Sequence, residues 1–84
     1  MSYKIRVTWA NALDKHDTPE MILERDAKML AMITAGQIIQ VINSKSTYSG
    51  NIEFTTMQDA EEWKTFIEGL ATKYNKTIVS IEIT

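Results

Sequence analysis

The chain reads as an α+β sandwich, a four-stranded antiparallel sheet with two helices on one face, and three observations predict it. Apolar residues alternate by two in Tyr3–Trp9 and again in Thr77–Thr84. They recur at helical spacing in Pro19–Ala35 and Met57–Tyr74. Between the helices, Gln37–Thr55 has strand character broken by a polar turn. The order β-α-β-β-α-β is the split βαβ pattern of ferredoxin-like domains. The 84 residues make one domain, 1–84, in which roughly 60 to 65% of the unfolded chain's surface is buried.

Each element follows from local chemistry. In the first strand Tyr3, Ile5, Val7 and Trp9 share one face and Lys4, Arg6 and Thr8 the other, as a sheet covered on one side requires. Ala10–Asp17 is a polar loop. Thr18-Pro19 starts the first helix with a Thr N-cap and Pro at N1, and Gly36 supplies its C′ stop. Gln37–Asn43, rich in Ile and Val, is the second strand, Ser44–Gly50 a turn, and Asn51–Thr55 the third strand with Ile52 and Phe54 facing in. Thr56 and Asp59 form a capping-box variant for the second helix. At about 100° per residue its Ala60, Trp63, Phe66, Ile67, Leu70, Ala71 and Tyr74 fall in a single arc. Val79, Ile81 and Ile83 face in from the last strand, with Ser80 and Glu82 out. The open sheet face is then polar, with Lys4 and Arg6 able to pair with Glu53 and Glu82 across strands.

Composition excludes whole classes of function. The net charge is −2, with nine basic and eleven acidic residues of mixed order, whereas a nucleic-acid binder carries a basic excess or stripe. With no cysteine there is no disulfide, thiolate nucleophile, Cys-based zinc site or iron–sulfur ligation. No apolar run approaches the roughly 20 residues of a membrane span. A start that runs from Met1 straight into a strand carries no signal region, and the expectation is a soluble, cytoplasmic protein.

Catalytic chemistry is equally sparse. RNA-recognition domains of this topology stack bases on aromatics of the open face, but Tyr3, Trp9, Phe54 and Trp63 all belong to the inner side. Asp14, His16 and Asp17 are ligand-type residues in one loop, yet polar loops collect such residues for turn formation, and a lone His forms no His-pair site. Glu61 and Glu62 point about 100° apart on an exposed helix face. No catalytic residue, cofactor or metal site is expected.

The conspicuous surface is elsewhere. On the first helix Ile22, Leu23, Ala27, Met29, Leu30 and Ile33 span an arc wide enough to cover the sheet, which leaves Met21 and Met32 outside it beside Arg25. Asp26 falls awkwardly within that arc: either the helix turns to bring it to an edge, or its carboxylate is buried with a partner. The second strand is apolar on both faces, Ile39 and Val41 on one and Ile38 and Ile42 with Gln40 on the other. As an edge strand it also exposes unpaired backbone groups. Met21, Arg25, Met32, Ile38, Gln40, Ile42 and Tyr48 are therefore the candidate partner-binding residues, with Met adaptable at such surfaces.

The expected function is that of a small non-catalytic binding module that forms a homodimer, with a protein or small-ligand partner, no nucleic acid and no membrane. A short, Cys-free chain of interaction size, running directly from Met into a strand, resembles the small accessory proteins of bacteriophages. That resemblance implies binding and inhibiting a host or defence protein, or sequestering a small ligand at a dimer interface. The alternative is an enzyme of the dimeric α+β-barrel type, which requires a pocket between sheet and helices with Trp9, Asp26, Tyr74 or His16 pointing inward.

Overall fold

A computed structural model describes residues 2–10, 18–42 and 49–84. Its elements are β1 (Tyr3–Trp9), α1 (Pro19–Thr34), β2 (Ile38–Ile42), β3 (Ser49–Phe54), α2 (Met57–Lys73) and β4 (Ile78–Ile83). The order and types are those the periodicity predicts, with ends moved by a residue or two. The four strands form one antiparallel sheet in the order β2-β3-β1-β4, the ferredoxin-like arrangement.

The helix ends show why the chain turns where it does. Gly36 sits at φ 77, while its N–H bonds the Ile33 carbonyl and that of Gln37 the Met32 carbonyl. These are the two bonds of a Schellman stop. Asn75, at φ 56, closes α2 in the same way, with Asn75 N–H to Thr72 and Lys76 N–H to Ala71. Asn tolerates this left-handed backbone because its short amide bonds locally. Thr56 caps α2 as expected, its hydroxyl accepting from the Asp59 N–H at 3.1 Å. The Asp59 carboxylate does not return the bond to Thr56; it accepts from Gln37 Nε2 at 2.8 Å, tying the turn before β2 to the start of α2. Thr18 occupies the N-cap of α1 but makes no side-chain cap bond.

The core lies between the helices and the inner sheet face. Ile5, Val7 and Trp9 of β1, Ile52 and Phe54 of β3, and Ala60, Trp63, Ile67, Leu70 and Ala71 of α2 are buried there. Phe54, Trp63 and Phe66 form a run of tilted rings with centroids 6.3 and 5.4 Å apart, a favoured aromatic geometry. Among the described residues no buried side-chain polar atom lacks a partner, and no helix is long and apolar enough to cross a membrane.

Both edge strands carry a single-residue bulge. Against β3, Ile38 pairs with Phe54 and Gln40 with Glu53, so Ile39 is extra. Against β1, Trp9 pairs with Ile78 and Thr8 with Ser80, so Val79 is extra. A bulge shifts the side-chain phase by one residue. Ile38 therefore faces the core and is buried, contrary to its expected outward projection, and Ile78 takes the inner place expected of Val79. Ile39 and Val79 are left exposed instead. Beyond the bulge the expected phase holds: Val41 pairs with Ile52 of the inner face, and Gln40 and Ile42 lie on the open face with Glu53 and Asn51.

Candidate interaction surface

The rotation of α1 about its axis decides which of its residues meet solvent. Met21 and Met32 are fully buried, while Leu23 and Leu30 are exposed. Relative to the arc read from the sequence, the helix is turned by roughly a third of a revolution. Met21 and Met32 are thus core residues, not the surface residues they were expected to be. Both belong to the core cluster, where an unbranched thioether adapts to irregular gaps.

Polar contacts along one flank hold this rotation. The Tyr74 hydroxyl donates to Glu24 Oε2, and Lys73 Nζ donates to both Glu24 oxygens at 3.0 Å. One turn on, Lys28 Nζ donates to Glu62 Oε2 at 2.9 Å and lies 5.8 Å from the centre of the Phe66 ring. The hydrogen bond from Tyr74, followed by that from Lys73, holds the Glu24 carboxyl below its usual range. The same bond raises the Tyr74 hydroxyl, and the Glu24 carboxylate raises the Lys73 ammonium. Such pairs are individually weak in water, but together they place Glu24 and Lys28 against α2. The opposite flank of α1, carrying Ile22, Met29 and Ile33, must then lie over the free edge of the sheet at β2.

Asp26 consequently reaches the surface, its side chain 59% exposed and its carboxylate 3.3 Å from Arg25 Nε. Arg25 packs its stem against the protein and keeps this contact. Gln40 is exposed and donates to Glu53 Oε1 at 2.7 Å. Glu53 also accepts from the Ser2 hydroxyl, and these bonds, Ser2 first and Gln40 second, lower its pKa. Lys4 and Arg6 stand opposite Glu53 and Glu82 in the sheet register, as expected. Ile42 is half-buried. Tyr48 lies outside the described residues, as do Asp14, His16 and Asp17. Of the candidate set, Gln40 is exposed, Arg25 and Ile42 are partly buried, and Met21, Met32 and Ile38 are buried.

Residues that the periodicity assigned to the core replace them. Leu23 is 75% exposed, Leu30 64%, Ile39 55%, Ile33 45% and Val41 40%. They leave on the order of 500 Å² of apolar surface in water, near the upper end for the largest patch on an ordinary monomer. All five belong to α1 and β2, consecutive elements packed together across the Gly36 turn. The missed signal was the row Glu20, Glu24 and Lys28, whose charges match Glu62 and Lys73 of α2 and so mark the flank facing that helix.

Among the described residues, the side chains required of an enclosed catalytic pocket do not converge. Trp9 is packed in the core, Asp26 faces solvent, the Tyr74 hydroxyl is engaged by Glu24, and His16 is outside the described residues. Among the described residues no three His, Asp or Glu side chains are placed to hold a metal ion. In comparisons with known proteins, no family matches the chain and no curated protein matches it.

Proposed function

We propose that this chain is a small non-catalytic interaction domain that works as a homodimer. The observation that carries the reading is the apolar surface formed by the outward side of α1 and the adjoining β2 edge. An interface of standard size contributes about 800 Å² per subunit, and in a homodimer about 65% of it is apolar. That is on the order of 500 Å², the area this surface offers. Self-association leaves the hydrogen-bonded open sheet face, with Lys4, Arg6, Gln40, Glu53 and Glu82, presented to a third molecule. In an accessory role of the phage type, the dimer binds and inhibits a host or defence protein, or holds a small ligand between its subunits.

Multi-angle light scattering tests the homodimer. The expected mass is twice the 9.6 kDa of the chain, falling towards one chain on dilution. A single-chain mass persisting to millimolar concentration removes the homodimer from the proposal.

A further inference from the structure

We infer that the dimer forms through the outward row of α1, packed antiparallel against the same row of a second copy with Leu30 set over Ala27. The inference rests on the homodimer reading above and specifies which residues make the contact and in what alignment.

The two helices supply the comparison that carries the argument. Both cover the same side of the sheet, and each turns one row of side chains away from it. On α2 that row is Gln58, Glu61, Thr65, Glu68 and Thr72, all exposed and all polar, as a solvated helix face should be. On α1 it is Leu23, Ala27, Leu30 and Thr34, equally exposed but apolar at three positions of four. Leu23 and Leu30 stand about 200° around the helix from the buried Met21 and Met32, and so project straight into solvent. The row advances by four, three and four residues, the alternation that keeps one seam of a helix facing a partner helix.

This row complements itself under a two-fold axis. With the axis between Lys28 and Met29, Leu30 meets Ala27 of the second copy and Leu23 meets Thr34. Each pairing recurs across the axis, as an isologous interface demands. Every layer then joins a large side chain to a small one, which keeps the helices evenly spaced. Parallel helices would stack Leu on Leu and Ala on Ala, a wide layer beside a hollow one, and would set Glu20 against Glu20. Helices meeting squarely would also bring the acidic outer faces of the two α2 helices together. The contact therefore leans towards β2, where the exposed Ile33, Ile39 and Val41 form its rim and Asp26 stays paired with Arg25.

Strand addition is the competing mode. Both free edges of the sheet are interrupted by a bulge, at Ile39 and at Val79, and a bulge twists an edge away from pairing.

Sedimentation equilibrium tests the surface, with circular dichroism as the check on folding. Leu30→Glu is expected to weaken the dimer by roughly 100-fold or more, because the two-fold places two carboxylates in the seam. Leu23→Lys should act in the same direction, and it replaces Leu30→Glu if that variant loses its helical signal. Disulfide cross-linking tests the alignment, since the chain has no cysteine of its own. A mixture of Leu23→Cys and Thr34→Cys chains should cross-link under mild oxidation. Neither should do so alone, because like positions lie roughly 16 Å apart along the axis, beyond the reach of a disulfide. A dimer indifferent to Leu30→Glu and Leu23→Lys overturns the α1 contact while leaving the homodimer standing. Cross-linking of Leu23→Cys alone, or none in the mixture, overturns the antiparallel alignment. A wild-type chain that stays monomeric overturns both the inference and the homodimer.

Discussion

Replacing Met32 by Ala tests the rotation of α1, on which the identity of the exposed surface depends. Met32 is 1% exposed, and truncating a fully buried Met to Ala typically costs about 2 to 5 kcal/mol through lost transfer energy and the cavity left behind. A chain of 84 residues has a total stability of about 4 to 12 kcal/mol at ordinary per-residue values. The variant should therefore lose a large share of it, with a thermal midpoint lower by at least about 10 °C. Leu30→Ala is the matched control. Leu30 keeps only about a third of its surface out of water, so the loss is at most about 1 kcal/mol, partly offset by the higher helix propensity of Ala. Urea denaturation followed by circular dichroism reads both, at about 1 μM so that self-association adds little apparent stability. If Leu30→Ala proved the more damaging of the two, α1 would have to be turned as its aliphatic arc suggests, and the surface described above would not exist.

Two further outcomes follow from the contacts of the helices. Glu24 has a lowered pKa in the folded state, so its contribution is complete above the unfolded carboxyl value of 4.5 and is lost as pH falls through the folded value. Glu24→Gln should lower stability at neutral pH by an amount that disappears as pH falls below about 4.5, which flattens the acid limb of a stability-against-pH curve; an unchanged acid limb contradicts the role given to the Tyr74–Glu24–Lys73 cluster. Gly36→Ala meets no atom within 4 Å of the new Cβ. Its cost should therefore come from the left-handed backbone alone, about 1 to 2 kcal/mol by urea denaturation, and a neutral result contradicts the Schellman stop.

How much of this was legible in the chain depended on whether one periodicity ruled an element without interruption. α2 carries a single apolar arc opposite a polar one, and its buried residues are the ones the arc names. β1 and β3 are central strands with unbroken alternation, and their inner faces are likewise as read. The edge strands failed at one point each. A bulge has no composition signal in Ile38-Ile39-Gln40 or Ile78-Val79-Ser80, since every residue before and after it is equally fit for a strand. α1 failed for a different reason. Its aliphatic residues outnumber what one face of the sheet needs, so counting them selects the face with more branched side chains. The charges of Glu24 and Lys28, complementary to α2, decide the rotation, and that complementarity is visible only once the two helices are known to lie side by side. Asp26, awkward under the expected rotation, was the one residue that signalled the error.

The measurement that bears most directly on the interaction surface is a dilution series of amide and methyl chemical shifts. Concentration-dependent changes centred on Leu23, Leu30, Ile33, Ile39 and Val41, with the amides of Lys4, Arg6 and Glu53 unmoved, are what a dimer through the apolar surface of α1 and β2 predicts. Changes centred on the open face of the sheet, or none from micromolar to millimolar concentration, would contradict it.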